Sequence, residues 1–256
     1  MPTTQDAFLS ILLSRGDIFV GSILGVYRSR DGGVTWSNSS AGLDGIEVSA
    51  LAERDGVLYA ATHPKVFPTG PEGGGVWSSR DRGATWTPEV VGGCLSAVSL
   101  AVVREALLAA TGCGVLRSLG EGQPWTYAGF EPGVRVFAAG GEVWASSISG
   151  LYRSANAGFT WHAAAVLGAN LFTLVALGSR VVAGTDDGIR WTEDSGQSWN
   201  SATAGLHNTT VGFLTVSGDL VLGVLSFGSR DGALVRSGDA GYVEARRRRP
   251  SSAGNG

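Results

Sequence analysis

Acidic residues between short apolar runs are the part of this sequence best suited to chemistry. Hydrolysis of a glycosidic bond needs two carboxyl groups flanking the bond, roughly 5–10 Å apart. Seven acids stand in such connections, namely Asp44, Glu47, Glu72, Glu89, Glu131, Asp186 and Asp187. No feature of the sequence pairs any two of them, so solvated loop acids are the simpler interpretation, and we assign no catalytic residue.

Signatures of other catalytic classes are missing from the sequence. It contains no H-E-x-x-H, no G-x-x-x-x-G-K and no G-x-S-x-G segment. The three histidines are far apart along the chain, at His63, His162 and His207. We therefore predict no metal site and no cofactor.

An eight-residue segment recurs through the chain and indicates a repeat architecture. Four strong copies, such as SRDGGVTW and SRDRGATW, begin at Ser29, Ser79, Ser154 and Thr192. Two weaker copies begin at Ser118 and Ser237, and the second has Glu244 where the others have tryptophan. We call these segments the boxes.

Three short apolar runs precede each box, and a short run follows it, so each unit is predicted to form four antiparallel strands, A to D. Four strands in about 40 residues is typical of a propeller blade. We predict an all-β propeller of six such blades over residues 1–245, followed by a disordered Arg-rich tail, 246–256. The extra residue in GALVRS, from Gly232, predicts a bulge in the last blade.

The residue types in the boxes indicate structural turns. An aspartate can accept backbone N–H groups of its own turn, a glycine suits a positive φ, and a tryptophan offers apolar area to a neighbouring blade. The predicted structural residues are Asp31, Gly33, Trp36, Asp81, Gly83, Trp86, Asn156, Gly158, Trp161, Asp194, Gly196, Trp199, Asp239 and Gly241.

The boxes and the strand pattern before them resemble the Asp-box, or bacterial neuraminidase repeat, family of β-propellers. The segment from Leu58 to Trp86 is most similar to the photosystem II stability/assembly-factor-like and sortilin-type group. Sialidases and xyloglucan-cleaving glycosidases belong to the same family. The resemblance implies that the boxes join strands C and D on the face away from the ligand. It also implies that the D-to-A and B-to-C connections form the binding face.

Sialidases of this family grip a carboxylate with three arginines. In this chain four arginines recur in register just before their boxes, at Arg28, Arg117, Arg153 and Arg236. A residue that repeats from blade to blade is expected to belong to the scaffold rather than to a unique triad.

The longest B-to-C connection runs from Thr62 to Gly75 and is a candidate binding loop, since long loops in compact repeats are often functional. The SFGSRDG segment of the last repeat is a second candidate. The candidate residues of the binding face are His63, Lys65, Phe67, Glu72, Asp186, Asp187, His207 and Arg230.

The only two cysteines, Cys94 and Cys113, fall just before strand A and just after strand B of one repeat. This placement brings them nearly opposite each other on the predicted binding face. Both a disulfide and a pair of reduced thiols fit the sequence, and reduced thiols are the default in a reducing compartment.

The chain has a formal net charge of −3, with 19 basic and 22 acidic residues. Four of the basic residues are the tail arginines Arg246, Arg247, Arg248 and Arg249. The remaining body is too acidic for general nucleic-acid binding. No apolar run reaches 18 residues, so we expect no membrane span. Without a recognisable signal peptide the expected location is the cytoplasm, or an extracytoplasmic compartment if the gene start is truncated.

Together these patterns favour a monomeric, non-catalytic scaffold that binds a protein or a glycan on the face opposite the boxes. The alternative function is a glycoside hydrolase, sialidase-like or xyloglucanase-like, that uses two of the loop carboxylates.

Overall fold

The computed structural model describes residues 6–67, 70–120, 123–202, 210–217, 220–226, 232–237 and 243–247. At residues 66–67, 70–72 and from 217 onwards it describes the backbone alone. All regular secondary structure in this part of the chain is β-strand. The all-β prediction is confirmed.

The strands form four-stranded antiparallel blades in which strands A to D pair in order. Blade 1 contains β1 (Phe8–Ser14), β2 (Asp17–Ser22), β3 (Gly25–Ser29) and β4 (Ser37–Asn38). Blade 2 contains β5 (Glu47–Arg54), β6 (Val57–His63), β9 (Gly75–Ser79) and β10 (Thr87–Pro88), with the hairpin β7 (Lys65–Phe67) and β8 (Gly70–Glu72) inserted before β9.

Blade 3 contains β11 (Ala97–Val103), β12 (Ala106–Thr111), β13 (Gly114–Ser118) and β14 (Thr126–Gly129). Blade 4 contains β15 (Arg135–Ala139), β16 (Glu142–Ser147), β17 (Gly150–Ser154) and β18 (His162–Ala163). Blade 5 contains β19 (Leu171–Leu177), β20 (Arg180–Thr185), β21 (Gly188–Thr192) and β22 (Asn200–Ser201).

A further four-stranded sheet consists of β23 (Thr210–Ser217), β24 (Leu220–Ser226), β25 (Gly232–Ser237) and β26 (Val243–Arg247). Its turns, including Asp239 and Gly241, lie outside the described residues, and strands β24 to β26 are described as backbone only. The structure therefore shows five blades in full rather than the six predicted.

One detail of the last repeat differs from expectation. Strand β25 pairs with β24 without a register shift, so the extra residue lengthens the strand instead of forming a bulge. In the same sheet Arg246 and Arg247 of β26 pair with Leu234 and Ala233 of β25. Residues 248–256 lie outside the described part of the chain.

The chain divides into two compact units. The first comprises Met1–Phe137, Val143–Ser149 and Ser154–Trp161, and the second comprises Ala138–Glu142, Gly150–Arg153 and His162–Gly256. In the first unit strand β5 packs between β1 and β11, so the A strands of successive blades are neighbours. In the second unit β19 packs on β23 in the same way.

A register shift near the start of strand A recurs where A pairs with B. It falls between Phe8 and Ser10 in blade 1, and at the corresponding place in blades 2, 3 and 5. At this bulge the backbone of strand A approaches strand B of the preceding blade. A Cβ on Gly21 would lie 2.7 Å from the Val48 carbonyl oxygen, and one on Gly184 would lie 2.5 Å from that of Val211. Glycine permits this approach in blades 1 and 5, and the corresponding strand B residues of blades 2 and 3 are Ala61 and Ala110.

Apolar side chains fill the space between successive blades. Phe19 and Val26 of blade 1 pack with Leu58 and Trp86 of blade 2. Blades 2 and 3 meet through Tyr59, Val76, Leu107 and Leu116. In the second unit Val182 and Ile189 pack with Val211 and Leu214. Burial of apolar area between sheets is the main stabilising contribution of this architecture.

The box turns share one set of hydrogen bonds. In blade 1 the Ser29 hydroxyl donates to Asp31 Oδ1 at 2.8 Å and accepts from the Gly33 N–H at 2.8 Å. The Thr35 N–H donates to Asp31 Oδ1 at 2.9 Å. The same bonds recur in blades 2, 4 and 5, with Asn156 replacing the aspartate in blade 4.

These hydrogen bonds stabilise the charged form of the box aspartates. The Thr35 hydroxyl and N–H lower the pKa of Asp31 to about 2, and the Thr85 hydroxyl lowers the pKa of Asp81 to about 2. The Ser198 hydroxyl lowers the pKa of Asp194 in the same way. Because the folded pKa values lie below the ordinary value, this contribution is present above about pH 4 and is lost as the pH falls towards 2.

The box tryptophans connect successive blades. Trp86 is 3% exposed, and its indole N–H donates to the Ser39 carbonyl of blade 1 at 2.8 Å. The indole N–H of Trp161 donates to the Ala128 carbonyl of blade 3 at 2.7 Å. Trp36 instead bonds the Gly33 carbonyl of its own turn at 3.0 Å.

Arg28, the next-to-last residue of strand C in blade 1, takes part in a buried hydrogen-bond network. Arg28 Nε donates to Asp17 Oδ2 at 2.9 Å, and Arg82 of the next blade donates to the same oxygen. Arg28 Nη1 also donates to the Arg82 carbonyl at 3.0 Å. The Arg82 hydrogen bond is the main cause that lowers the pKa of Asp17. One carboxylate thus joins blades 1 and 2.

We predict that Asp81→Ala lowers the free energy of unfolding by about 1–2 kcal/mol, since it removes the hydrogen bonds that close one box turn. The loss of stability between about pH 4 and about pH 2 should also become shallower, because one low-pKa carboxylate is gone. Urea unfolding at about pH 4 and at about pH 2 measures both the loss of stability and its dependence on pH. Glu105→Ala, which removes an exposed hairpin acid, serves as the control and should change neither quantity.

We predict that Asp17→Asn costs more, about 2–3 kcal/mol, because Arg28 is left buried without its charged partner. Thermal and urea unfolding at neutral pH measure the loss. The control is Asp55→Asn, whose side chain is 78% exposed and lies 3.8 Å from Arg54, where we expect at most about 1 kcal/mol. Equal losses in the two variants would contradict the bridging role of Asp17.

Candidate functional site

The B-to-C and D-to-A connections leave each blade on the side opposite the boxes, because the strands are antiparallel. In blades 1 to 3 these connections contact one another within a single compact unit. They form a continuous surface that is built from several separate loops.

A hydroxyl at the end of strand B closes most of these B-to-C turns. The Ser22 hydroxyl donates to the Gly25 carbonyl at 3.2 Å and accepts from the Leu24 N–H at 3.1 Å. Thr111 and Thr185 close their turns in the same way. This [S/T]-x-x-G pattern was missed in the sequence, although it recurs as regularly as the boxes do.

The long connection of blade 2 forms the β7–β8 hairpin, in which Lys65 lies opposite Glu72. The Lys65 ammonium donates to the Asp44 carbonyl at 2.8 Å. The Gly45 N–H, one residue further on, donates to the Leu24 carbonyl at 2.9 Å. These two bonds join the hairpin to the D-to-A connection before it and to the B-to-C turn of blade 1.

The base of the hairpin is closed by polar contacts. The Thr62 hydroxyl donates to the carbonyls of Gly73, at 2.8 Å, and Gly75, at 3.1 Å. The Trp77 indole N–H also donates to the Gly73 carbonyl, at 3.1 Å. A Cβ on Gly74 would collide with the carbonyl oxygen of Leu95, so glycine is required where the next D-to-A connection passes.

A disulfide fixes that next connection to blade 3. Cys94 and Cys113 are joined, with their Cα atoms 5.6 Å apart. The Gly112 N–H donates to the Ser96 carbonyl at 2.9 Å beside the bond. Of the two states that the sequence allowed, the structure has the disulfide.

We call this continuous surface the loop arc and define it as residues 23–24, 44–47, 63–65, 73–74, 95–96 and 112–113. Leu24 is 43% exposed and Leu95 is 53% exposed, and both point apolar area to solvent. The carboxylates of Asp44 and Glu47 have no hydrogen-bond or ion-pair partner in the described part of the chain.

The arc contains two of the predicted binding residues. The others lie in blade 5 or in parts of the chain where the structure describes no side chain. His63 is half-buried and lies opposite Glu47, and Lys65 makes the bond described above. Phe67 and Glu72 belong to the hairpin, where the backbone alone is described. His207 and Arg230 lie outside the described residues.

Asp186 and Asp187 lie in blade 5 and are engaged in contacts within that blade. Asp186 accepts from the Asn170 backbone N–H at 2.9 Å and from the Asn170 amide at 2.6 Å. Asp187 pairs with Arg190 at 3.1 Å. The first carboxylate caps a D-to-A connection, and the second pairs with a neighbouring arginine.

Each of the three strand C arginines whose side chains the structure describes contacts a residue of the scaffold, and the side chain of Arg236 lies outside the described part. Arg28 pairs with Asp17, Arg153 donates to Glu142 at 2.9 Å, and Arg117 stacks on the ring of Phe159 at 3.6 Å. The acid opens strand B and stands 11 residues before its arginine in both blades. That spacing is the signal from which the pairs could have been found.

Within the described ranges no group of three or more His, Cys, Asp or Glu side chains could hold a metal ion. The part of the chain that the structure describes contains no apolar helix of membrane-spanning length.

We predict that reduction of the disulfide lowers the free energy of unfolding by about 3 kcal/mol, the value for a closed loop of this size. It should also expose residues 89–96 to proteolysis, since the loop loses its covalent anchor. Thermal unfolding and limited proteolysis followed by mass spectrometry measure these effects. The Cys94→Ser/Cys113→Ser variant should behave like reduced protein and should not respond to added dithiol.

No family model matches this sequence, and no curated protein matches it. Many solved structures do match the fold. One is the extracellular domain of the hybrid two component system BT4673 from B. thetaiotaomicron, with a TM-score of 0.76 and 12% identity over 99% of this chain. The match covers 34% of that protein, so this chain spans about a third of its length.

Two further matches are a protein solved with a bound peptide and an enzyme. YCF48 bound to D1 peptide matches with a TM-score of 0.69 and 15% identity, over 94% of this chain and 82% of that chain. The GH74 xyloglucanase from Xanthomonas campestris matches with a TM-score of 0.72 and 18% identity, over 94% and 45% of the two chains. At these identities the likeness establishes the fold, a β-propeller of four-stranded antiparallel blades.

Proposed function

We propose that this protein is a non-catalytic β-propeller scaffold that binds a protein partner through the loop arc. The single observation that carries the proposal is the continuity of the arc. Connections from three blades are joined by hydrogen bonds and a disulfide, and they present exposed aliphatic side chains on the side opposite the boxes. A rigid surface of this kind favours binding, because little ordering is needed on association.

The proposal includes the family, the number of blades and the oligomeric state. The box turns support placement among Asp-box propellers, since serine, aspartate and glycine share one hydrogen-bond pattern in four blades. Strands β23 to β26 would supply a sixth blade, and residues 1 to about 247 would then be one propeller domain. The expected monomer is part of this proposal.

Peptide binding by a protein of similar fold supports a protein ligand. YCF48 was solved bound to D1 peptide, and its fold covers most of the present chain. The identity of 15% is too low to transfer the ligand, so D1 itself is not proposed. The comparison supports only the idea that a propeller of this size can hold a peptide.

A glycoside hydrolase remains the second candidate because Asp44 and Glu47 lie close in sequence on the arc without a described partner. Glycosidases need two carboxyl groups across the substrate. Of the other loop acids, Asp186, Asp187 and Glu89 are each paired with a neighbour. Hydrolysis of xyloglucan or an aryl glycoside that is lost in Asp44→Asn and in Glu47→Gln would establish this candidate.

The disulfide supports a location in an oxidising compartment, because disulfides persist there and are rare in the cytoplasm of mesophiles. We therefore propose an extracytoplasmic location in place of the cytoplasmic default. Thiol alkylation of the protein in intact cells, followed by mass analysis, should find both cysteines protected.

Site-specific photo-crosslinking tests the binding face. A photoreactive phenylalanine analogue replaces Leu24 or Leu95 on the arc, and Val34 or Leu119 on the box side, all of them exposed aliphatic positions. We expect protein adducts from the arc positions in extract of the source cells, and few from the box side. Adducts that are as abundant from the box side would contradict the proposal, and retention on a glycan array without protein adducts would favour a glycan ligand.

A further inference from the structure

Resting on the proposed function, we propose that the arc recognises a protein segment that carries aliphatic side chains next to lysine or arginine. The aliphatic residues would pack on Leu24 and Leu95. The cationic residue would meet the carboxylates of Asp44 and Glu47. This assigns a chemical class of partner to the surface.

The exposed apolar residues favour a protein segment over a glycan. Three aliphatic residues of the arc, Ile23, Leu24 and Leu95, are 36%, 43% and 53% exposed. Single exposed apolar residues are ordinary, but three on one surface that is joined by hydrogen bonds favour an interaction site. The described side chains of the arc include no phenylalanine, tyrosine or tryptophan on which a sugar ring could stack.

The charges of the arc favour a cationic partner. The arc carries the two carboxylates of Asp44 and Glu47 against one ammonium, that of Lys65, which donates to the Asp44 carbonyl. The carboxylate of Asp44 is exposed and that of Glu47 is half-buried, and neither has a described partner. A lysine or arginine of the partner would complement them, and complementary charge gives orientation and a faster association.

The rigidity of the arc explains how a short segment could be held. Lys65, Gly74 and the disulfide fix the three connections before any partner arrives. Binding to a preformed surface avoids most of the entropy cost of ordering loops. An extended segment could therefore contact Leu24, Asp44 and Leu95 in succession along the arc.

A fluorescent synthetic peptide in which leucine and lysine alternate tests this inference with the full chain. Two matched peptides replace lysine by glutamate or leucine by serine. We expect the leucine–lysine peptide to bind more tightly than either matched peptide, by fluorescence anisotropy. Raising the salt above physiological ionic strength (about 0.15 M) should weaken its binding.

Variants locate the binding on the arc. Asp44→Asn/Glu47→Gln should weaken binding about five- to tenfold, as expected for two exposed charge pairs. Leu24→Ser/Leu95→Ser should weaken it about tenfold or more. The charge-matched control is Asp55→Asn/Glu105→Gln, in A-to-B hairpins on the box side, and the apolar control is Val34→Ser. Both controls should bind as the unmodified protein does, and circular dichroism confirms that each variant folds.

The outcomes separate the two proposals. Equal weakening by control and arc variants, or equal binding of the glutamate peptide, would overturn the inference. If arc positions form protein adducts but the leucine–lysine peptide shows no arc-dependent binding, the inference falls and the proposed function stands. If the arc positions form no more protein adducts than the box side, and the peptide shows no arc-dependent binding, both the proposed function and the inference are contradicted.

Discussion

The packing of one sheet against the next is the constraint on which the rest of this structure depends. A four-stranded sheet with two apolar faces cannot be stable alone, so each blade needs a neighbour at close range. The bulged start of strand A sets that range, because its carbonyl reaches the glycine of the preceding strand B, as Val48 does at Gly21. The box tryptophan and the Asp17 network then join the outer parts of the same pair.

Much of the fold could be predicted from the sequence because the determining interactions are local. The box turns are closed by side chains two to four residues apart, such as Ser29, Asp31 and Thr35, so their types repeat in the chain. The A-strand bulge could not be predicted, since it depends on a backbone contact between different blades. The pairing of Arg246 with Leu234 could not be predicted either, since it depends on the partner strand and not on the composition of the tail.

The candidate site was less accessible to sequence reasoning than the scaffold. Long loops directed attention to the hairpin around Lys65, and that region does belong to the arc. The roles of Leu24 and Leu95 could not be predicted, because exposure of an aliphatic residue depends on where neighbouring loops pass. Asp186 was selected for its charge, yet its carboxylate is used by Asn170 from a distant part of the chain. Pairing of this kind leaves no local pattern.

The inserted hairpin of blade 2 has a consequence for how such proteins diversify. Thr62 still pairs with Gly75, as Ser22 pairs with Gly25 across a tight turn, although the intervening segment is far longer. The pairing of strands B and C is therefore the same whether the connection between them is short or long. Changes in the hairpin tip between Lys65 and Glu72 would leave this pairing and Gly74 in place, so new recognition properties could evolve there without loss of the blade.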